Sequence, residues 1–262
     1  MLLSRRLCRI LCAAIVAQSW LSSSYAADAA SKNGKPGAAP AAQALPFNVT
    51  VHGSFKHMQH KGDYTPKARL ADVLSVKDIY AVGALSGRRG EITIIGGKPY
   101  ISLGGPTSSS LLDDGMNKEE AALLVTAGEI EWKELDVPND MSQVEFEAFV
   151  TDSARAAGLD MSRPFPFMLK GEISNYKIHV LAPRGPNDSA GGHGAVGGQY
   201  NATGDAIQGR LLGFYSSAGL SGVISHPGEL FHIHLVDAAE TISAHMDGYG
   251  VRKHSTLLIP KP

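Results

Sequence analysis

The sequence predicts an α+β fold made mostly of antiparallel β-sheet. Three observations carry that expectation. Short apolar stretches, many of them alternating, are separated by glycine-rich breaks, as strands are. Two of these stretches, Glu91–Ile95 and Lys98–Leu103, are joined by Gly96-Gly97 alone, a two-residue hairpin signal. One segment, Ser142 to Ala157, carries a full set of helix signals.

Taken in order, the folded chain is expected to begin near Phe47, and residues 47–52 alternate like a strand. Thr65-Pro66 is read as the opening of a helix over Lys67–Leu74, because proline at the first helical position gives up no hydrogen bond. Strands follow at Ile79–Val82, Glu91–Ile95 and Lys98–Leu103. Ala121–Thr126 and Ile130–Leu135 are further strands, although residues 118–124 have enough helix propensity to leave the first open. Ser142 and Glu145 make a capping box, and Gly158 stops the helix they begin. Strands resume at Phe167–Gly171, Tyr176–Leu181 and Gly209–Tyr215. Residues 184–206, rich in Gly, Asn, Asp and Ser, read as a flexible loop; a phosphate cradle would need a preceding strand, a following helix and a lysine.

The first 46 residues are set apart from the fold. Arg5, Arg6 and Arg9 precede the short apolar run Leu11–Trp20, and Ser24-Tyr25-Ala26 supplies small residues for cleavage. Residues 1–26 are therefore expected to be a signal peptide, and the protein to be exported, periplasmic or secreted. The run is too short to span a bilayer, and Arg9-Ile10-Leu11 is a poor lipoprotein signal, so no membrane anchor is expected. Residues 27–46 lack large apolar side chains and read as a disordered linker before a domain over 47–262. Cys8 and Cys12 both lie in the leader, which leaves no disulfide and no thiolate; any metal must use His, Asp or Glu. The 24 Lys and Arg nearly balance the 25 Asp and Glu, and no basic cluster interleaves with aromatics, so nucleic acid is not expected as a partner.

The chemistry gathers at the C-terminal end. Phe231-His232-Ile233-His234-Leu235-Val236 reads as a strand, which places His232 and His234 on one face. His245 follows eleven residues later, enough to turn and return on a neighbouring strand. On spacing alone, an exposed pair without a ligand remains as good a reading as a metal site. The apolar flanks favour burial, and buried imidazoles need partners. Three neutral imidazoles and a water make the usual open zinc site.

The run Leu212–Val223, followed by Pro227-Gly228, His232-Ile-His234 and His245, resembles the acetolactate decarboxylase family. Val82–Glu91, Gly97-Lys-Pro-Tyr100, Ala122–Thr126 and Pro166–Gly171 fall in the same order. The resemblance implies an acetolactate decarboxylase-like fold of two fused lobes, 47–160 and 161–262. It implies that His232, His234 and His245 hold Zn2+, with another divalent transition metal as an alternative. The implied reaction is decarboxylation of 2-acetolactate, or a similar small hydroxy-keto acid, to acetoin with release of CO2. Glu91 stands where the family has a pocket glutamate and is expected to transfer a proton or position substrate. His179, with Lys177 beside it, falls where the family has an arginine and becomes a weaker acid/base or a further ligand. Arg184 and Arg210 are poorly spaced to replace that arginine, and Asp247 is the only acid near the place of a second pocket glutamate. A non-catalytic exported protein that keeps the three-histidine site and binds metal or a small ligand is the alternative; a homodimer is left open. Of the other histidines, His52, His57 and His60 read as surface residues, His226 and His254 as exposed flanks, and His193 as part of the glycine loop. Trp132 and Tyr176 read as core.

Overall fold

The computed structural model describes residues 48–104, 109–111, 118–183 and 198–262. The expected leader and linker, and residues 184–197 with Arg184 and His193, lie outside them. The described chain forms two antiparallel sheets and three α-helices.

The first sheet takes β1 (Val49–His52), β2 (Ala68–Arg69), β3 (Tyr80–Leu85), β4 (Gly90–Ile95), β5 (Lys98–Gly104), β6 (Ser109–Leu111) and β7 (Glu120–Ala127). Its order is β1-β7-β3-β4-β5-β6, with β2 also on β7. The β4–β5 hairpin forms at Gly96 (φ 58°) and Gly97 (φ 82°), both in the left-handed region that such a turn demands. β7 is inner to the sheet and buried from Ala121 to Ala127. There, pairing on both edges overrides the helix propensity of residues 118–124.

The helix expected over 67–74 is shorter. Lys67 N–H donates to the Ala121 carbonyl (2.7 Å) and residues 68–69 pair with β7, so only Leu70–Leu74 (α2) is helical. Pro66 lies before it, outside any helix or strand. A helix that the sequence did not announce, α1 (Phe55–Lys61), follows β1; it buries Phe55 and Met58 and exposes His57 and His60.

The second sheet takes β8 (Trp132–Asp136), β9 (Met141–Ser142), β10 (Phe165–Leu181), β11 (Gln199–Tyr215), β12 (Phe231–Asp237), β13 (Ser243–Val251) and β14 (Thr256–Pro260). Two expectations are corrected here. Residues 167–171 and 176–181 belong to one long strand, β10, and residues 199–206 are strand rather than loop. The glycine-rich composition masked a full ladder between β11 and β10. Gly204 is needed in that ladder, because a Cβ there would lie 2.6 Å from the Tyr176 ring. β10 pairs with β11 along one edge; along the other it changes partner, from β14 at Met168–Lys170 to β13 at Ile173–His179. β10, β11, β12 and β13 therefore close into a ring of strands, which fixes the relation of β12 to β13 and of β13 to β10.

Helix α3 (Gln143–Ala156) packs on the second sheet through Phe146, Val150 and Ala154. Its capping box is formed: Glu145 N–H donates to Ser142 Oγ, and Ser142 N–H donates to Glu145 Oε2 at 2.8 Å. Gly158 follows with φ 92°. Ser142→Ala is expected to destabilise the protein by about 1 kcal/mol in urea denaturation, the usual cost of a lost cap. The sheets divide the chain between Ala127 and Trp132, so α3 and β8 go with the second sheet, earlier than the 160/161 lobe boundary. The sheets face each other across Val82, Val125, Leu212, Phe214 and Ile224. Trp132, half-buried, bridges them by donating from Nε1 to the Tyr80 hydroxyl at 3.0 Å.

Candidate metal centre

Strand alternation and the closed ring of strands build the site. On β12, Phe231, Ile233 and Leu235 turn into the core shared with α3, which sends His232 and His234 to the opposite face, towards the first sheet. Pairing of β12 with β13 sets His234 opposite His245, and pairing of β13 with β10 sets His245 opposite His179. A row of imidazoles thus crosses three neighbouring strands, with His232 two residues along. His232, His234, His245 and His179 are 2%, 0%, 7% and 8% exposed, so their polar atoms depend on one another and on the protein.

The donor geometry fits a transition-metal ion. His232, His234 and His245 each offer a nitrogen, and all three lie within 4.8 Å of one another. The Nε2 atoms of His232 and His234 are 3.2 Å apart. Two nitrogens bound to one tetrahedral zinc at about 2.0–2.1 Å would be about 3.3 Å apart. His234 Nδ1 lies 3.0 Å from Thr93 Oγ1, which lies 2.7 Å from Ser243 Oγ; Ser243 N–H in turn donates to Ser102 Oγ at 3.2 Å. These hydroxyls can accept a proton from Nδ1 of His234, and with the proton there the Nε2 lone pair faces inward for an ion. His232 Nδ1 is buried with no hydrogen bond of good geometry, although the Ile224 carbonyl favours a proton on that ring. Burial holds all three rings neutral: His232 falls to about 3, and His234 and His245 lie well below the ordinary histidine value, with neighbouring imidazoles adding to the effect. Neutral imidazole is the ligand form.

The first sheet contributes the acid. Glu91 and Thr93 share a face of β4, and both reach His234. Glu91 Oε2 is 3.8 Å from His234 Nε2, and Leu181 N–H donates to Oε1 at 3.1 Å. Burial pushes the Glu91 carboxyl up to about 7, against the pull of His179, the Leu181 amide and Arg88. Arg88 is itself buried in the left-handed region (φ 59°) and donates to the Gly198 carbonyl at 2.8 Å. His179 Nδ1 meets both oxygens of Asp247, at 2.8 and 2.9 Å. Burial opposes a charge on His179, but the Asp247 hydrogen bond and the nearby Glu91 outweigh it and raise the pKa.

Helix α1 covers this cluster. The Phe55 ring lies 4.0 Å from that of His226 and 5.3 Å, edge-on, from that of His232. Phe55 and Met58, with Glu91, His179, His232 and His245, enclose a cavity of ≈ 10 Å³, about one water. A wider crevice of ≈ 410 Å³ reaches His245 from the α3 side, between Glu147, His226, Glu229 and Asp247. A larger open groove of ≈ 700 Å³ along β1, β2 and β7 holds none of the cradle residues.

All five residues singled out as ligands or catalytic groups thus meet: His232, His234 and His245 as donors, with Glu91 and His179 beside them. Arg210 does not join them, since its Nη2 donates to the Tyr100 hydroxyl (2.9 Å) and Glu240 (2.8 Å) elsewhere. Lys177 is exposed, as is His254, whereas His226 is half-buried against Phe55 rather than exposed. Sequence reasoning missed Thr93, Ser243, Arg88 and Phe55. Only Thr93 left a signal there: it is two residues from Glu91 on an expected strand, hence on the same face.

Fold and site together define a two-sheet α+β protein with a buried three-imidazole cradle beside a protonatable glutamate. The chain shares its fold with α-acetolactate decarboxylase from Bacillus subtilis strain 168 (TM-score 0.63, 13% identity, covering 82% of this chain and 86% of that one). The enzyme from Bacillus subtilis subspecies spizizenii matches similarly (TM-score 0.62, 14% identity, 82% and 86%). So does a Staphylococcus aureus protein of unknown function similar to α-acetolactate decarboxylase (TM-score 0.63, 16% identity, 80% and 84%). No protein-family model and no curated protein sequence matches the chain.

Proposed function

We propose that the protein is an exported, metal-dependent carboxy-lyase that converts 2-acetolactate, or a similar small hydroxy-keto acid, to acetoin and CO2. The observation that carries this reading is a carboxyl with a pKa of about 7, 3.8 Å from an imidazole of the three-histidine cradle. The shared fold supports it. His232, His234 and His245 would hold the ion, with zinc as the first choice. When bound, it supplies Lewis acidity towards the ketone and hydroxyl oxygens, where negative charge grows as CO2 leaves.

The chain's own groups do the rest. Glu91 is poised to hold a proton at Oε2 and release it near neutral pH, and the Leu181 amide fixes its other oxygen. His179 stands ready as a second proton carrier, oriented by Asp247. Phe55 and Met58 exclude water from the reacting groups. The ≈ 410 Å³ crevice at His245 is the opening of sufficient size beside the cradle, since substrate needs more room than the ≈ 10 Å³ under α1.

That confined space also favours the second reading, a non-catalytic relative that keeps a metal. Acetoin formation from racemic acetolactate separates the two. The lyase reading expects a rate above the spontaneous one in the native chain and its loss in His234→Ala. Equal rates in buffer, variant and native chain would leave metal binding alone.

A further inference from the structure

The row of imidazoles does not end at the buried cradle. His179 and Asp247 flank His245 on its outer side, and one donor atom from each of these three residues falls within 4.8 Å of the others. Register and a local irregularity explain the grouping: β10 sets His179 opposite His245, and Asp247 is the extra residue on β13 where the ladder shifts, with its carboxylate on His179 Nδ1 at 2.8 Å. His245 is therefore common to two donor sets, one buried and one at the surface, where the Asp247 side chain is 39% exposed. From these placements we propose that His179, His245 and Asp247 form a second, outer seat for a divalent transition-metal ion, through which the ion reaches His232, His234 and His245. The proposal rests on the metal reading of the inner cradle.

Three features support it. The inner cradle has no room of its own for a hydrated ion: the cavity beside it is ≈ 10 Å³ under Phe55 and Met58. The ≈ 410 Å³ crevice, by contrast, opens onto both His245 and Asp247, and Glu147 and Glu229 line it. Acidic walls concentrate cations. These carboxylates also bear on one another, since burial and then the charges of Glu147 and Asp247 raise the Glu229 pKa; a cation would relieve that repulsion. Imidazole and carboxylate together suit zinc and its neighbours. Seating an ion between His179 Nδ1 and Asp247 displaces the proton they share at 2.8 Å and widens the gap by about half an ångström. From there the ion keeps His245 while exchanging His179 and Asp247 for His232 and His234, so it never crosses the apolar cover bare.

The test follows Co2+ alone into the full chain after chelator treatment, read by its visible absorbance. At low Co2+ the loading rate is proportional to occupancy of the outer seat. Losing a ligand or its support costs about 10–100-fold in affinity. Asp247→Asn is therefore expected to load about 10–100-fold more slowly while still reaching the native final stoichiometry. Loading of Asp247→Asn at the native rate would overturn the proposal and leave the inner cradle standing. A native chain that takes up no Co2+ would sink both. Should circular dichroism show Asp247→Asn unfolded, the double variant His232→Ala/His234→Ala decides: Co2+ retained in it supports the outer seat, and none retained overturns it.

Discussion

His234→Ala is expected to lower metal affinity by at least about 100-fold and to bring acetoin formation down to the spontaneous rate. Of the three imidazoles, His234 is the one most tightly held. It is 0% exposed, it touches the Thr93–Ser243 hydroxyl pair through Nδ1, and its Nε2 faces His232 at 3.2 Å and Glu91 at 3.8 Å. Removing it leaves two nitrogens, too few for a closed cradle, and takes away the link from the first sheet to the ion. It also strands Thr93 Oγ1 without its imidazole partner, at about 1–3 kcal/mol for a buried hydroxyl left short of a bond. Metal analysis, the acetoin assay and urea denaturation on one preparation separate the loss of ion from the loss of fold. A variant that unfolds only slightly earlier, yet keeps its metal, would remove His234 from the ligand set.

Glu91→Gln is expected to produce a protein that is more stable and less active. The carboxyl is fully buried, and its pKa of about 7 in the folded chain stands above the ordinary 4.5. The folded state therefore holds its proton more tightly than the unfolded state, and stability is lost as pH rises. The contribution is intact below about pH 4.5, falls between 4.5 and 7, and levels off above. The difference, 7 − 4.5 = 2.5, corresponds to ~3 kcal/mol at the alkaline plateau. Glutamine has the same shape, carries no charge, and still accepts from the Leu181 amide. In the metal-free chain the variant should equal the native protein at pH 4 and exceed it by ~3 kcal/mol at pH 8. Activity with metal should fall about 10²–10⁴-fold, the range for a lost proton-transfer group. A variant less stable than native at pH 8 would mean that Glu91 sits there as a charged, paired carboxylate. The role assigned to it would then fail.

The three imidazoles differ in how they could be read beforehand. His232 and His234 were legible because a strand has a period of two and their apolar neighbours demanded burial. His245 was legible only as a distance along the chain; its place opposite both His234 and His179 depends on the closure of β10 through β13, a long-range register that composition does not carry. The Gly96-Gly97 hairpin and the Ser142 cap are local devices, and they came through intact. Helix α1 did not, since its seven residues span barely two turns and its signal is too short for a period of 3.6. The same helix supplies Phe55 and Met58 to the site, so the water-excluding cover was hidden along with it. Residues 199–206 looked like loop because their glycines and small side chains are set by what lies against them, Tyr176 on Gly204 in particular. Nothing in the sequence pattern singles out Arg88; burial against the Gly198 carbonyl, not spacing, brings its charge to bear on Glu91.

The central claim is that His232, His234 and His245 hold one divalent transition-metal ion. Elemental analysis of the full chain, purified without chelators beside His234→Ala, tests it most directly. The expected result is about one equivalent of zinc, or of another imidazole-binding metal, per native chain and under about 0.2 in the variant. Less than about 0.2 equivalent of zinc, nickel, cobalt, copper or iron in the native chain would contradict the claim.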